Sequence, residues 1–111
     1  VDTEAELDIV TAVSGSGPAY FFLMMESMIN AGVAEGLSTE VSTQLVLQTA
    51  LGAAVMAKQS ASDAGTLRKQ VTSPGGTTQA AIEYFQLVKF EEAVRGAVNA
   101  ARIRSVELSK N

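Results

Sequence analysis

Neither cysteine nor histidine occurs among the 111 residues. Their absence removes disulfides, thiol catalysis, the commonest metal ligand and the ordinary neutral-pH proton shuttle. No metal site is expected, and acid–base chemistry falls to other groups or to water. Tryptophan is missing too, and aromatic residues make up only 5% of the chain, so the core must be built from Ala, Val, Leu, Ile and Met, which favours close helix packing. Basic residues are few: Lys and Arg number 8 against 12 Asp and Glu, for a formal charge of −4 and a sequence pI near 4.7. No cationic stripe is available to neutralise phosphates, which argues against a nucleic-acid partner. No uninterrupted apolar run approaches the ~20 residues that span a bilayer, and no basic stretch leading into an apolar one opens the chain. A cytoplasmic protein with no membrane partner is therefore expected. The chain begins with Val1 rather than Met, which suggests a fragment.

Strand-like alternation is nearly absent, and helical periodicity dominates in its place. With 47% apolar residues, the chain is expected to form a single all-α domain over residues 1–111, a bundle of about six helices. The first is expected over 4–13, with Leu7, Val10 and Val13 on one side, and it stops at Ser14-Gly15-Ser16-Gly17. Pro18 suits the first turn of the next helix, where its fixed φ helps and its missing N–H costs nothing; that helix runs to the natural stop at Gly36. Ser38 is placed to cap a third helix reaching Lys58. Ser62 is assigned as the cap of a short fourth helix ending near Val71. A fifth begins after Gly76 and fades around Val88. The sixth spans 90–108, with Glu91 and Glu92 at its start and Arg102 and Arg104 at its end, as the helix dipole favours.

The second and third helices are apolar on too many sides for a surface position. Residues 20–25 read Tyr-Phe-Phe-Leu-Met-Met without a break, and only Glu26, Ser27 and Asn30 give a polar strip. Ala50, Gly52, Ala53, Ala54 and Ala57 in the third helix let backbones approach closely. A chain this short has too few other elements to cover both, so a second copy is expected to do so. The plain alternative is that both are central helices of one compact bundle. The methionines at 24, 25 and 28 read as packing groups rather than a binding face. Gln44 and Gln48, one turn apart, could meet across a subunit contact or simply stay solvated, and neither is given a function.

Two glycine-rich segments are candidates for chemistry. Residues 15–20, Gly-Ser-Gly-Pro-Ala-Tyr, begin like a dinucleotide fingerprint, but Tyr20 replaces the third glycine and no strand precedes it. This segment reads as a break between helices. Residues 73–78, Ser-Pro-Gly-Gly-Thr-Thr, form a tight turn directly before an apolar helical pattern. A helix starting there presents free N–H groups and the positive end of its dipole, with three hydroxyls nearby. The modest reading is that Ser73 or Thr77 caps the helix. A cap alone does not require both Gly75 and Gly76, whose bare backbone would let an anionic ligand approach the amides.

The wider segment 67–86, LRKQVTSPGGTTQAAIEYFQ, resembles the signature of pyrroline-5-carboxylate reductases, and residues 10–20, VTAVSGSGPAY, are similar to the helical domain of that family. The resemblance runs from about Leu7 to Leu108. It implies an intertwined homodimer, like the C-terminal domain of 6-phosphogluconate dehydrogenase, with higher assembly left open. It also implies an NADPH- or NADH-dependent reduction of 1-pyrroline-5-carboxylate to L-proline. Carried onto this sequence, it assigns the amides of Gly76 and Thr77 with the Ser73 hydroxyl to the substrate carboxylate and Thr78 to the ring nitrogen as the catalytic residue, with Gly75 counted among the substrate-binding residues for its uncovered backbone. The family's dinucleotide-binding domain has no counterpart in the chain, so NADP or NAD would be held mainly elsewhere and this chain alone should be inactive. The alternative from another class is a helical oligomerisation module without a ligand; an acidic adaptor has no motif to support it.

Overall fold

The computed structural model describes residues 3–110, and no strand occurs among them. Six α-helices follow one another: α1 (Glu4–Val10), α2 (Gly17–Ala34), α3 (Thr39–Gln59), α4 (Ala64–Gln70), α5 (Thr77–Leu87) and α6 (Phe90–Ser109). A π-helical turn, Thr11–Gly15, follows α1 directly. The expected all-α class and helix order are present, with boundaries shifted by a few residues. The residues fall into two compact units, one reaching Phe21 and resuming at Ile82, the other running from Phe22 to Ala81.

In the first unit, Thr3 caps α1 by accepting from the Glu6 amide at 3.1 Å. The helix was expected to continue regularly to residue 13. Instead the ladder widens, and the Ser16 amide reaches the Thr11 carbonyl at 2.8 Å, five residues back. Hydroxyls line this stretch: Thr11 donates to the Leu7 carbonyl at 2.9 Å, beside its own amide, and Ser14 to the Val10 carbonyl at 3.0 Å. The Tyr20 hydroxyl donates to the carbonyl of Ala12 at 2.7 Å, and Ala12 is fully buried. α6 packs on α1 and on the π turn. Its half-buried residues, Val98, Ala101, Arg102, Ser105 and Val106, recur at helical spacing and form one stripe. Ser105 donates to the Asp8 carboxyl at 2.7 Å, joining residues 97 apart. Before α6, Lys89 takes the left-handed conformation at φ 60, and Phe85 meets Phe90 edge-on at 5.1 Å.

The second unit turns at an elbow. Gly36, at φ 122, ends α2 as the sequence implies. Ser38 caps α3 by accepting from the Val41 amide at 3.2 Å. Just inside, Ser42 is buried and donates to the Ile29 carbonyl at 2.9 Å. A Cβ on Gly32 would lie 2.3 Å from that Ser42 oxygen, so the close approach of α2 and α3 demands glycine there. Beyond Val46, also buried, α3 is exposed along most of its length, with Leu47, Leu51 and Val55 uncovered. Asp63, not Ser62, caps α4: its carboxylate accepts from the Thr66 amide at 2.8 Å. Ser62 instead gives its own amide to the Ser60 hydroxyl at 3.0 Å, in the turn that leaves α3.

Large apolar side chains are left uncovered in the single chain. Phe21, Phe22 and Leu23 are 68%, 65% and 63% exposed, and Leu51 is 59% exposed. The helical path from Glu4 to Ala34 holds a window with mean hydropathy 1.2, long and apolar enough by composition to cross a membrane. The Ser-Gly-Ser-Gly-Pro interruption still breaks every continuous apolar run within it. Core helices of soluble assemblies meet the same criterion.

Candidate functional site

The turn between α4 and α5 is built from its two ends. The Val71 amide closes α4 onto the carbonyls of Leu67 and Arg68, and the Thr72 hydroxyl donates to the Arg68 carbonyl. The chain then reverses through Ser73–Gly76. The Gly76 amide donates to the Ser73 carbonyl at 3.1 Å, and the Ala80 amide makes the first α5 bond to the Gly76 carbonyl at 3.2 Å. Pro74 has no N–H to satisfy.

The two glycines serve different purposes. Gly75 takes φ 72, a region that residues with a Cβ rarely adopt, and the space beside it is open. Gly76 has no positive φ; there a Cβ would sit 3.2 Å from the Ser73 carbonyl oxygen. Conformation requires the first glycine, and crowding the second.

Donors remain at the head of α5. Among the described residues, the amides of Thr77, Thr78 and Gln79 find no acceptor, as the first turn of a helix dictates. The hydroxyls of Ser73, Thr77 and Thr78 are likewise without hydrogen-bond partners there. Ser73, Gly75 and Thr77 are exposed, and Gly76 and Thr78 half-buried. All five residues singled out from the sequence thus belong to one solvent-reached turn, in which Gly76 already spends its N–H on Ser73. The Gly75 N–H is also taken, by the side-chain oxygen of Gln79. Sequence reading passed over Gln79. Its signal was a Gln in the first turn of the helix, from where the side chain can reach back to an amide ahead of it, here one residue further than in a capping box.

No group of His, Cys, Asp or Glu side chains suited to a metal gathers among the described residues. The Gly15–Tyr20 segment is helical on both sides of Ser16, so it makes no strand-to-helix loop of the kind that cradles a dinucleotide. Among the described residues, the titration clearly displaced belongs to Asp63, whose carboxyl is held below its ordinary range, first by the Thr66 amide and then by the Thr66 hydroxyl.

Together these features define an all-helical association domain with a small donor-rich turn. The chain matches the family model described as pyrroline-5-carboxylate reductase dimerisation over residues 4–108 and belongs to that family. It is 57% identical over 110 residues to the pyrroline-5-carboxylate reductase of Pseudomonas aeruginosa, covering 99% of this chain and 40% of that protein. Its fold is similar to that of a pyrroline-5-carboxylate reductase from Coxiella burnetii, with TM-score 0.93 and 42% identity, covering 97% of this chain and 40% of the other. A third similarity is to the Plasmodium falciparum pyrroline carboxylate reductase with NADP bound, at TM-score 0.89 and 44% identity over 93% of this chain and 39% of that one. The chain thus spans about two fifths of the length of the relatives it matches.

Proposed function

We propose that residues 1–111 form one dimerisation and substrate-binding domain, the C-terminal part of a cytoplasmic NAD(P)H-dependent reductase that converts 1-pyrroline-5-carboxylate to L-proline. The observation that carries this reading is the open head of α5, three unpaired amides beside three unpaired hydroxyls, in a chain of the reductase family. A substrate carboxylate fits that place, since backbone N–H groups and the helix dipole both favour an anion. The Thr77 amide and Ser73 hydroxyl grip it, and the Gly76 amide is shared with the Ser73 carbonyl. Gly75 leaves the approach clear.

Reducing the C=N bond adds hydride to carbon and leaves a nitrogen that must hold a proton. The imine is most electrophilic when protonated, and the Thr78 hydroxyl can orient that nitrogen or relay its proton without being a strong acid. The described residues offer no dinucleotide cradle, so NADP or NAD is assigned to the remainder of the enzyme and the chain alone to inactivity. The uncovered residues of α2 and α3 favour an intertwined homodimer, in which a second copy hides them. The same exposure also suits the second reading, an oligomerisation module whose Ser73–Thr78 turn only starts a helix.

Kinetics of the full-length enzyme carrying this chain separate the two. Thr78→Ala should lower kcat by about 10- to 100-fold with a smaller change in KM, as expected of a group that acts as the ring accepts hydride. Ser73→Ala should mainly raise KM, because a carboxylate contact persists from ground state to transition state. Unchanged kinetics in both variants would leave the module reading.

A further inference from the structure

Resting on the anion-site reading above, we propose that Gln79 is a positioning residue that holds the Ser73–Thr78 turn in its ligand-ready form. Gly75 is the loosest link of that turn: it has no side chain, sits at φ 72, and meets nothing where a Cβ would be. Its N–H has one acceptor, the side-chain oxygen of Gln79, four residues on and already inside α5. The next amide, of Gly76, is tied to the Ser73 carbonyl at 3.1 Å. Two successive peptide groups are thereby fixed from opposite sides, one by the helix and one by the strand of chain entering the turn. The amides left over, of Thr77 and Thr78, then keep one direction before any ligand arrives, which lowers the ordering cost of binding.

The chemistry of the side chain matters as much as its reach. A glutamate could accept the same bond, as its carboxylate accepts from an amide at a helix start. Its charge would then lie one turn from the place proposed for a carboxylate and oppose it. Glutamine supplies the acceptor and remains neutral. The clamp also withholds the Gly75 amide from the ligand, directing an incoming carboxylate to the head of α5.

Two variants of the full chain, studied by amide exchange and by chemical-shift titration with L-proline, test this. Gln79→Met keeps the length but removes the acceptor. It should speed exchange of the Gly75 amide and weaken proline binding about tenfold, a loss typical of a preorganising contact. Gln79→Glu should keep Gly75 protected yet weaken proline binding, and that binding should recover as pH falls through the carboxylate range. If Gln79→Met speeds Gly75 exchange while proline binds as in the parent, the clamp does not position the site and the proposal is overturned. Parental exchange at Gly75 in Gln79→Met would overturn it as well. A parent chain whose residues 73–78 do not respond to proline would instead remove the anion site itself, and the clamp's role with it.

Discussion

α3 and α6 are nearly equal in length, 21 and 20 residues, and opposite in chemistry. Between Glu40 and Lys58, α3 carries no charge, whereas α6 holds Glu91, Glu92, Arg95, Arg102, Arg104 and Glu107. The charged helix nonetheless packs against α1 and the π turn within its own unit, while the apolar one is anchored near its base by Ser42 and leaves Leu47, Leu51 and Val55 exposed. In a lone chain that order is inverted, because the hydrophobic effect should draw the uncharged helix inward first. The inversion is resolved when α3 is read as a surface for a second copy and α6 as a surface for this chain and water. The ion pairs on α6 agree: Arg95–Glu91 and Arg104–Glu107, both at 3.5 Å, are exposed i,i+4 and i,i+3 pairs worth little to stability.

The strongest way to break the comparison is a charge on α3. Leu51→Lys removes a leucine that contributes about 1.5–3 kcal/mol when fully buried and leaves an unpaired ammonium in an apolar contact. Dissociation or unfolding at micromolar concentration is expected in sedimentation velocity, and Met25→Lys on α2 should behave alike. Removing the Arg95–Glu91 pair with Glu91→Ala should shift stability by less than about 0.5 kcal/mol. A stable monomer of the parent chain, or an unperturbed Leu51→Lys dimer, would mean that α3 is not the association surface.

A smaller effect is expected at the base of α3. Gly32→Ala places a Cβ 2.3 Å from the Ser42 hydroxyl oxygen, forcing loss of its bond to Ile29 or a shift of the elbow, at a cost of about 1–3 kcal/mol. Ser42→Ala alone should cost less, since the Ile29 carbonyl lies within a helix. The double variant should recover part of the Gly32→Ala loss, because deleting the oxygen makes room. Chemical denaturation of the four proteins measures the coupling; simple additivity would show that the contact does not fix the elbow. On α6 the corresponding anchor is Ser105, and Ser105→Ala should cost about 1 kcal/mol by removing the bond to Asp8.

These sites also mark how far the sequence can be read. Ser38, Gly36 and Pro18 announce helix boundaries through local chemistry that needs no tertiary context, and the apolar faces of α2 and α3 are plain in their composition. The π turn was not legible, because it coincides with contacts that only the closed fold brings together, among them the buried Ala12 carbonyl taken by Tyr20. At the candidate site, the Ser73–Thr78 turn stands out by its glycines and hydroxyls. Which glycine needs φ above zero, and that Gln79 reaches back to it, depend on how the turn closes. Ser62 and Asp63 are equally good caps by type, and only the bond actually made distinguishes them.

Asp63 gives the smallest expected effect and the cleanest contrast, since α4 has only seven residues and none of them is buried. Its cap is a local device where α6 has a packed stripe. The Thr66 amide, and then the Thr66 hydroxyl, hold the Asp63 carboxyl below its ordinary range, so its folded-state pKa lies under the unfolded one. The sign follows: the cap's contribution is complete above the unfolded value and is lost as pH falls through the lowered folded value. Full exposure keeps the effect small and sensitive to salt. Carboxyl chemical shifts followed through acid titration should show Asp63 titrating below an unstructured aspartate. In Asp63→Asn, which retains an acceptor without the charge, the Thr66 amide shift should no longer follow pH in that range. A normal Asp63 titration, or a Thr66 amide that still follows pH in Asp63→Asn, would show that the bond at 2.8 Å does not set the start of α4.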